Sequence, residues 1–240
     1  MPHHPPLPQV LAAQRDDGLH VAPDAEILGA LTTMVSHPEY PCLGAKSVFR
    51  REGAQIVVLD DMTDASPGGS LARLGAELTA YGRSVDAQGD FASFIACFRG
   101  PLPATELDFE RALWGVLQFL HDNDDAPWAA QVSDDPSKVH FSFSHDGIAY
   151  FIVGLHPLAS RVARRTPLPT MVFNLHAQFE RLRDGGGYER MRDTIRRRDA
   201  ALQGSVNPMV ADHGSSSEAR QYAGRKVEAD WAPPFETSAS

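Results

Sequence analysis

Two histidines and a group of arginines are the residues whose types and spacing could do chemistry. The sharpest stretch is Gly154-Leu155-His156-Pro157-Leu158-Ala159-Ser160-Arg161-Val162-Ala163-Arg164-Arg165, where an apolar run, Ile148 to Leu155, ends on a histidine. Proline disfavours helix at the residue before it, so His156 is expected to be extended at the exit of a strand. If the chain then coils, Arg161, Arg164 and Arg165 stand at i, i+3 and i+4 and share a face. An imidazole beside forked cations is what an anionic metallocofactor such as haem needs. A hydrogen-bonded structural histidine would present the same residue types. His176, in Phe173-Asn174-Leu175-His176-Ala177-Gln178-Phe179-Glu180, follows another apolar run and is the second ligand candidate. Its alternative is a helix-start histidine bonded to backbone.

Several chemistries lack their signatures. There is no GxGxxG, P-loop or HExxH sequence, and no Gly-x-Ser-x-Gly elbow. Cys42 and Cys97 form neither a CxxC metal pattern nor a disulfide framework. Cys42 follows Pro41 with no base beside it, so a buried small hydrophobe is favoured over a thiolate nucleophile or haem thiolate. Asp60, Asp61 and Asp64 lie among Thr, Ser and Gly and read as a solvated loop. His140 and His145 flank the Asp146-Gly147 hairpin signal and are expected to face solvent.

The net charge of −9 is unevenly spread. Residues 156–198 hold ten Lys/Arg against four Asp/Glu, whereas residues 1–155 hold nine against twenty-one. A basic island in an acidic chain marks where an anion can sit. Nucleic acid is not favoured, because duplex binding asks for a domain-wide basic surface. No apolar run approaches the roughly 20 residues of a membrane span, and the His/Pro-rich start has no secretory h-region. A cytoplasmic protein that touches no membrane is expected.

The positioning elements follow from periodicity. Residues 1–22, with four prolines and three histidines, read as a mobile arm ahead of a domain over 23–235. A short helix is expected over 24–36. Two strands, SVFR and QIVVLD, are expected around an Arg51-Glu52-Gly53 turn. Ser70 can cap a helix carrying Leu71, Leu74, Leu78 and Tyr81 on one side. Thr105, with Glu106 and Asp108 in the first turn, opens the clearest helix, whose Phe109, Leu113, Val116, Leu117 and Leu120 recur at helical spacing. Trp114 and Trp128 read as core or rim aromatics. Strands are also expected at 91–98, 139–144, 148–155 and 170–174, and helices at 178–183 and 188–202. Hairpin-linked strands with helices on one side give an α+β fold of one domain, built on a mainly antiparallel sheet.

The C-terminal half resembles the YqcI/YcgG family in GLHPLASRVARR, VFNLHAQFERLR, IRRRDAALQGSVNP, SEARQYAGRKV and the closing Trp231 to Phe235. Tyr40-Pro41-Cys42 and the FSFS hairpin match more loosely. Some members of that family are haem-dependent N-oxygenases of amino-acid side chains. The resemblance therefore implies a cytoplasmic monooxygenase carrying haem b, of the kind used in antibiotic biosynthesis. It would hydroxylate a guanidino or amino nitrogen of a cationic amino acid, L-arginine first, to N-hydroxyarginine. It implies His156 as the axial iron ligand, with His176 the alternative, and Arg161, Arg164 and Arg165 as partners of the propionates. The substrate cation would meet Glu180 or Glu218, inside the matching motifs. O₂ or peroxide would be the co-substrate. No flavin or iron–sulfur motif is present, so electrons would come from an external donor. No catalytic acid or base is assigned. Ala232 stands where the family more often has Cys, which removes a C-terminal thiolate role. At the hairpin, His145-Asp146 replaces smaller or aromatic residues, making His145 a minor ligand candidate. The rival expectation is a haem-binding or haem-sensing protein without enzymatic activity, for which a second protein ligand would close the iron to oxygen.

Overall fold

The computed structural model describes residues 4–85, 91–207 and 216–237. Five strands form one sheet: β1 (Ala54–Asp61), β2 (Ser93–Gly100), β3 (Phe143–His145), β4 (Ile148–Leu155) and β5 (Thr170–Leu175), in the order β1-β2-β5-β4-β3. Only β1 and β2 pair in parallel; the remaining pairs are antiparallel. The β3–β4 turn uses Asp146 and Gly147 at φ 50° and 71°, the left-handed pair that a two-residue hairpin needs.

The helices are α1 (Leu7–Asp16), α2 (Asp24–Ser36), α3 (Leu43–Arg50), α4 (Ser70–Ser84), α5 (Glu106–Asp122), α6 (His176–Asp184), α7 (Gly187–Gln203) and α8 (Ala219–Tyr222). Strand alternation divides the side chains into two cores. Val57, Leu59, Phe94, Ala96, Phe98, Tyr150, Ile152, Met171 and Phe173 share one core with α4, α5, Tyr222 and Phe235. Ile56, Val58, Ile95, Cys97 and Val172 share the other with α1, α2 and parts of α3. The expected α+β class holds. Helices, however, cover both faces of the sheet rather than one.

Helix α5 starts as its sequence dictates: the Thr105 hydroxyl accepts the Asp108 N–H at 3.1 Å. Helix α4 is entered differently. The Ser70 hydroxyl accepts the Asp61 N–H at 3.0 Å, tying the helix start to β1 instead of capping its own turn. The Asp61 and Asp64 carboxylates bond the N–H and hydroxyl groups of Thr63 and Ser66, as a solvated loop would. Trp114 is buried, stacked on Tyr222, and Trp128 packs partly buried at the edge of the same core.

Three expectations are corrected. SVFR is the end of α3 rather than a strand, because Cys42 Sγ accepts the Ala45 N–H, Phe49 packs against the second core and Val48 is buried in a cavity wall. Four residues are too few for a period to distinguish the two conformations. The segment expected as a mobile arm is folded from Leu7 onward, since α1 buries Leu7 and Leu11, and Leu19 follows them. His3 lies outside the described residues. His145 is buried rather than exposed, its Nε2 lying 3.0 Å from Thr79 Oγ1, so it ties α4 to the hairpin.

Candidate functional site

The parity that divides the cores also decides which candidate residues meet. In β4, Tyr150 and Ile152 face α5, while Phe151, Val153 and Leu155 face the other way. His156 continues the first series. It is 1% exposed, with its ring stacked on Phe109 of α5 at 4.5 Å between centroids. Its backbone N–H bonds Arg164 O at 3.0 Å, closing the loop expected to coil. Neither ring nitrogen has a hydrogen-bond partner among the described residues. Burial pulls its pKa down to about 4, against a smaller upward pull from Glu106. The imidazole is therefore neutral at pH 7.

On the opposite face the sheet forms the floor of a cavity of about 670 Å³. Phe151, Val153 and Val172 lie in the floor, and α3, α6 and α7 form walls. In β5 the parity that sends Phe173 and Leu175 toward α5 sends Asn174 to the cavity. His176, first residue of α6, follows Asn174 into the lining. Its Nε2 lies 3.1 Å from Glu180 Oε1, one turn along the helix, and Glu180 also pairs with Arg183. Arg192 and Arg196 of α7 lie in the same lining.

Glu218 closes another side of the cavity. Its Oε1 accepts the Tyr222 hydroxyl at 2.6 Å. Burial raises the carboxyl pKa to about 7, opposed by hydrogen bonds from Tyr222 and Ser142. Tyr40 and Cys42 complete a corner near Arg164. Burial pushes the Cys42 thiol pKa up, so it is protonated at neutral pH.

The candidates therefore separate. His176, Glu180, Glu218 and Arg164 line one cavity, while His156, Arg161 and Arg165 are absent from its lining. Arg161 is used by Asp199 Oδ2 and Ser205 O, both at 2.6 Å. Arg165 Nε donates to Ala159 O at 2.7 Å. These two arginines, with the 3₁₀ turn Val162–Arg164, build the loop that the sequence reading took for a cofactor cradle. Its helical i, i+3, i+4 face does not form, and Arg164 alone reaches the cavity. Tyr40, Arg192 and Arg196 were missed as site residues: Tyr40 and Arg196 stand inside matching motifs, but only long-range packing brings all three to the cavity. Among the described residues, no three His, Cys, Asp or Glu side chains converge in a metal-type group.

The fold and site define an α+β protein with a sheet between two helical layers and a mixed-charge cavity under one of them. The chain belongs to the YqcI/YcgG family, whose model matches residues 31–236. It is 26% identical over 193 residues to the uncharacterized protein YqcI of Bacillus subtilis (strain 168), covering 77% of this chain and 75% of that one. It is 27% identical over 192 residues to the uncharacterized protein YcgG of the same organism, covering 76% and 75%. No solved structure matches the chain. Among the described residues, no helix is long and apolar enough to cross a membrane.

Proposed function

We propose that the cavity holds haem b and that the protein is a haem-dependent N-oxygenase of a cationic amino acid, with L-arginine as the first substrate to test. The observation that carries this reading is the convergence of His176, Glu180 and arginines on one largely apolar cavity. The residues fit the group. A metal-ligating histidine usually hands its second ring nitrogen to a carboxylate, which orients the ring and raises its basicity. Glu180 stands in that relation to His176. Arg192 and Arg196 are forked donors suited to propionates. The size lies within the roughly 300–1,000 Å³ typical of ligand pockets. His176, not His156, is the ligand in this reading.

Bound haem would supply the oxidising power for forming an N–O bond, from O₂ with electrons from a separate donor or from peroxide. The chain's own residues hold and shield. Phe151, Val153 and Val172 keep the floor dry, and Glu218 offers a carboxylate to a guanidinium. A cation beside Glu218 favours its ionised form, so substrate entry and deprotonation reinforce each other.

The test is spectroscopic. Protein expressed with haem supply is expected to show a Soret band that shifts on adding arginine, and to yield an N-hydroxylated product with reductant and oxygen. His176→Ala is expected to lose the band and His156→Ala to keep it. Absence of the band from wild-type protein would sink the reading. A band with no product and no response to any cationic amino acid would leave the haem-sensing alternative.

A further inference from the structure

Two opposite charges face the cavity with no ion-pair partner within 4 Å among the described residues. Arg164 Nη1 donates to Gly154 O at 3.1 Å and Nη2 to Gln221 O at 3.2 Å, both neutral carbonyls. Its stem lies against Gly224, where a Cβ would come within 3.3 Å. Tyr40 and Cys42 are its neighbours and are themselves neutral at pH 7, while the nearby Asp199 carboxylate is bound to Arg161. The two carbonyls use two of the guanidinium's five donors. Glu218 accepts the Tyr222 hydroxyl and lies beside that of Ser142, and the cation that acts on it, Arg183, is committed to Glu180. The two sites are adjacent: Arg164 binds the Gln221 carbonyl, and the Gln221 N–H binds Glu218 O at 2.8 Å. Buried charges are costly unless something pairs them.

We infer that Arg164 and Glu218 are the two ends of a receptor for a zwitterionic amino acid with a cationic side chain, Arg164 taking the carboxylate and Glu218 the side-chain cation. The inference deepens the proposed substrate class and rests on the cavity being a substrate site, but not on haem. It moves Arg164 from the cofactor's propionates to the substrate. A guanidinium–carboxylate fork is bidentate and sets orientation as well as affinity, so it would present the far nitrogen in one pose.

Calorimetry on the full chain, with and without haem, tests it using L-arginine, agmatine (no carboxylate) and L-citrulline (no side-chain cation). Agmatine and citrulline are each expected to bind about 30-fold or more weaker than arginine, the lower end for losing one partner of a buried charge pair. Arg164→Gln is expected to weaken arginine by a similar factor and leave agmatine unchanged. Glu218→Gln is expected to weaken arginine and leave citrulline unchanged. Equal affinity of the wild-type protein for arginine and agmatine, or no binding of any of the three, overturns the inference even if the variants fail to fold. Loss of haem from Arg164→Gln with arginine affinity intact would overturn it too, by returning the residue to the propionates. The arginine-over-agmatine preference without a Soret band removes the oxygenase reading and leaves this one standing; a Soret band without the preference does the reverse.

Discussion

Buried His156 and half-buried Glu218 are ionisable groups whose protonation is tied to folding in opposite directions. His156 is neutral when folded, its pKa lowered to about 4. Between pH 6.5 and 4 the unfolded chain therefore binds the extra proton, and stability present above 6.5 drains away as pH falls through that window. The full effect is roughly 3 kcal/mol, from 1.36 kcal/mol per pKa unit. His156→Phe, which keeps a ring against Phe109 without the titratable nitrogens, should flatten the Tm profile over pH 4 to 6.5; an unchanged slope would refute the assignment. Glu218 is raised to about 7, so the folded state holds its proton between pH 4.5 and 7. Its contribution is complete below 4.5 and lost as pH rises through 7. Glu218→Gln should therefore be more stable than wild type at pH 8, by up to roughly 3 kcal/mol, yet level with it at pH 4 in urea unfolding. Arginine binding to wild type should strengthen from pH 6 to 8 as the carboxylate ionises, against the fixed charges of Arg183 and Glu180 nearby. Of the candidate residues, His176, Glu180 and Glu218 were legible in the sequence because ordered motifs carried them. Which of His156 and His176 meets the cavity was not, because each is simply the histidine after an apolar run. What separates them is side-chain parity against a cavity that only the folded sheet creates.

At the scale of elements, β4 and α5 touch where the sheet has no side chain. An added Cβ at Gly154 would lie 2.6 Å from Leu113 Cδ1, 2.7 Å from Phe109 Cε1 and 2.8 Å from Tyr222 O. Gly154→Ala is therefore expected to cost about 1–3 kcal/mol by overpacking, read as a lower urea midpoint at unchanged m-value. Since His156 follows the end of that strand, two residues on, the change should also disturb the stack on Phe109. Strong local signals made several elements readable: the Thr105 cap, the Asp146-Gly147 turn and the apolar stripe of α5. Weak ones misled. The four residues SVFR have β-formers but no length, and the Cys42 cap that makes them helical is a weak sulfur acceptor that sequence rules pass over. The arginines at 161, 164 and 165 were read as one helical face; the 3₁₀ turn and the ties to Asp199, Ser205 and Ala159 scatter them.

For the whole molecule, the sheet is a partition with a helical layer on each side, and the two layers come from different parts of the chain. Helices α4 and α5, from the middle, cover one face. Both ends of the chain cover the other, with α1, α2 and α3 from one and α6 and α7 from the other. The N-terminal helix is therefore part of the fold: Leu11→Ala is expected to cost about 2–5 kcal/mol. With roughly 2–4 °C per kcal/mol for a chain of this size, its Tm should drop measurably; a drop of under a degree would mean that α1 packs only loosely. Prolines and histidines hid this in the sequence, because composition reports local stiffness and not the three leucines that find the sheet.

The cavity draws its boundary from residues as far apart as Leu31 and Gln221. A ribosome delivers Leu31 long before Gln221, so the walls of the cavity meet only once α6, α7 and the segment that carries Glu218 have been made. A molecule that lodges there must arrive after Gln221 has been made. A chain broken off before Glu218 would lose one wall of that berth and, with Tyr222 and Phe235, part of the core on the far side of the sheet as well.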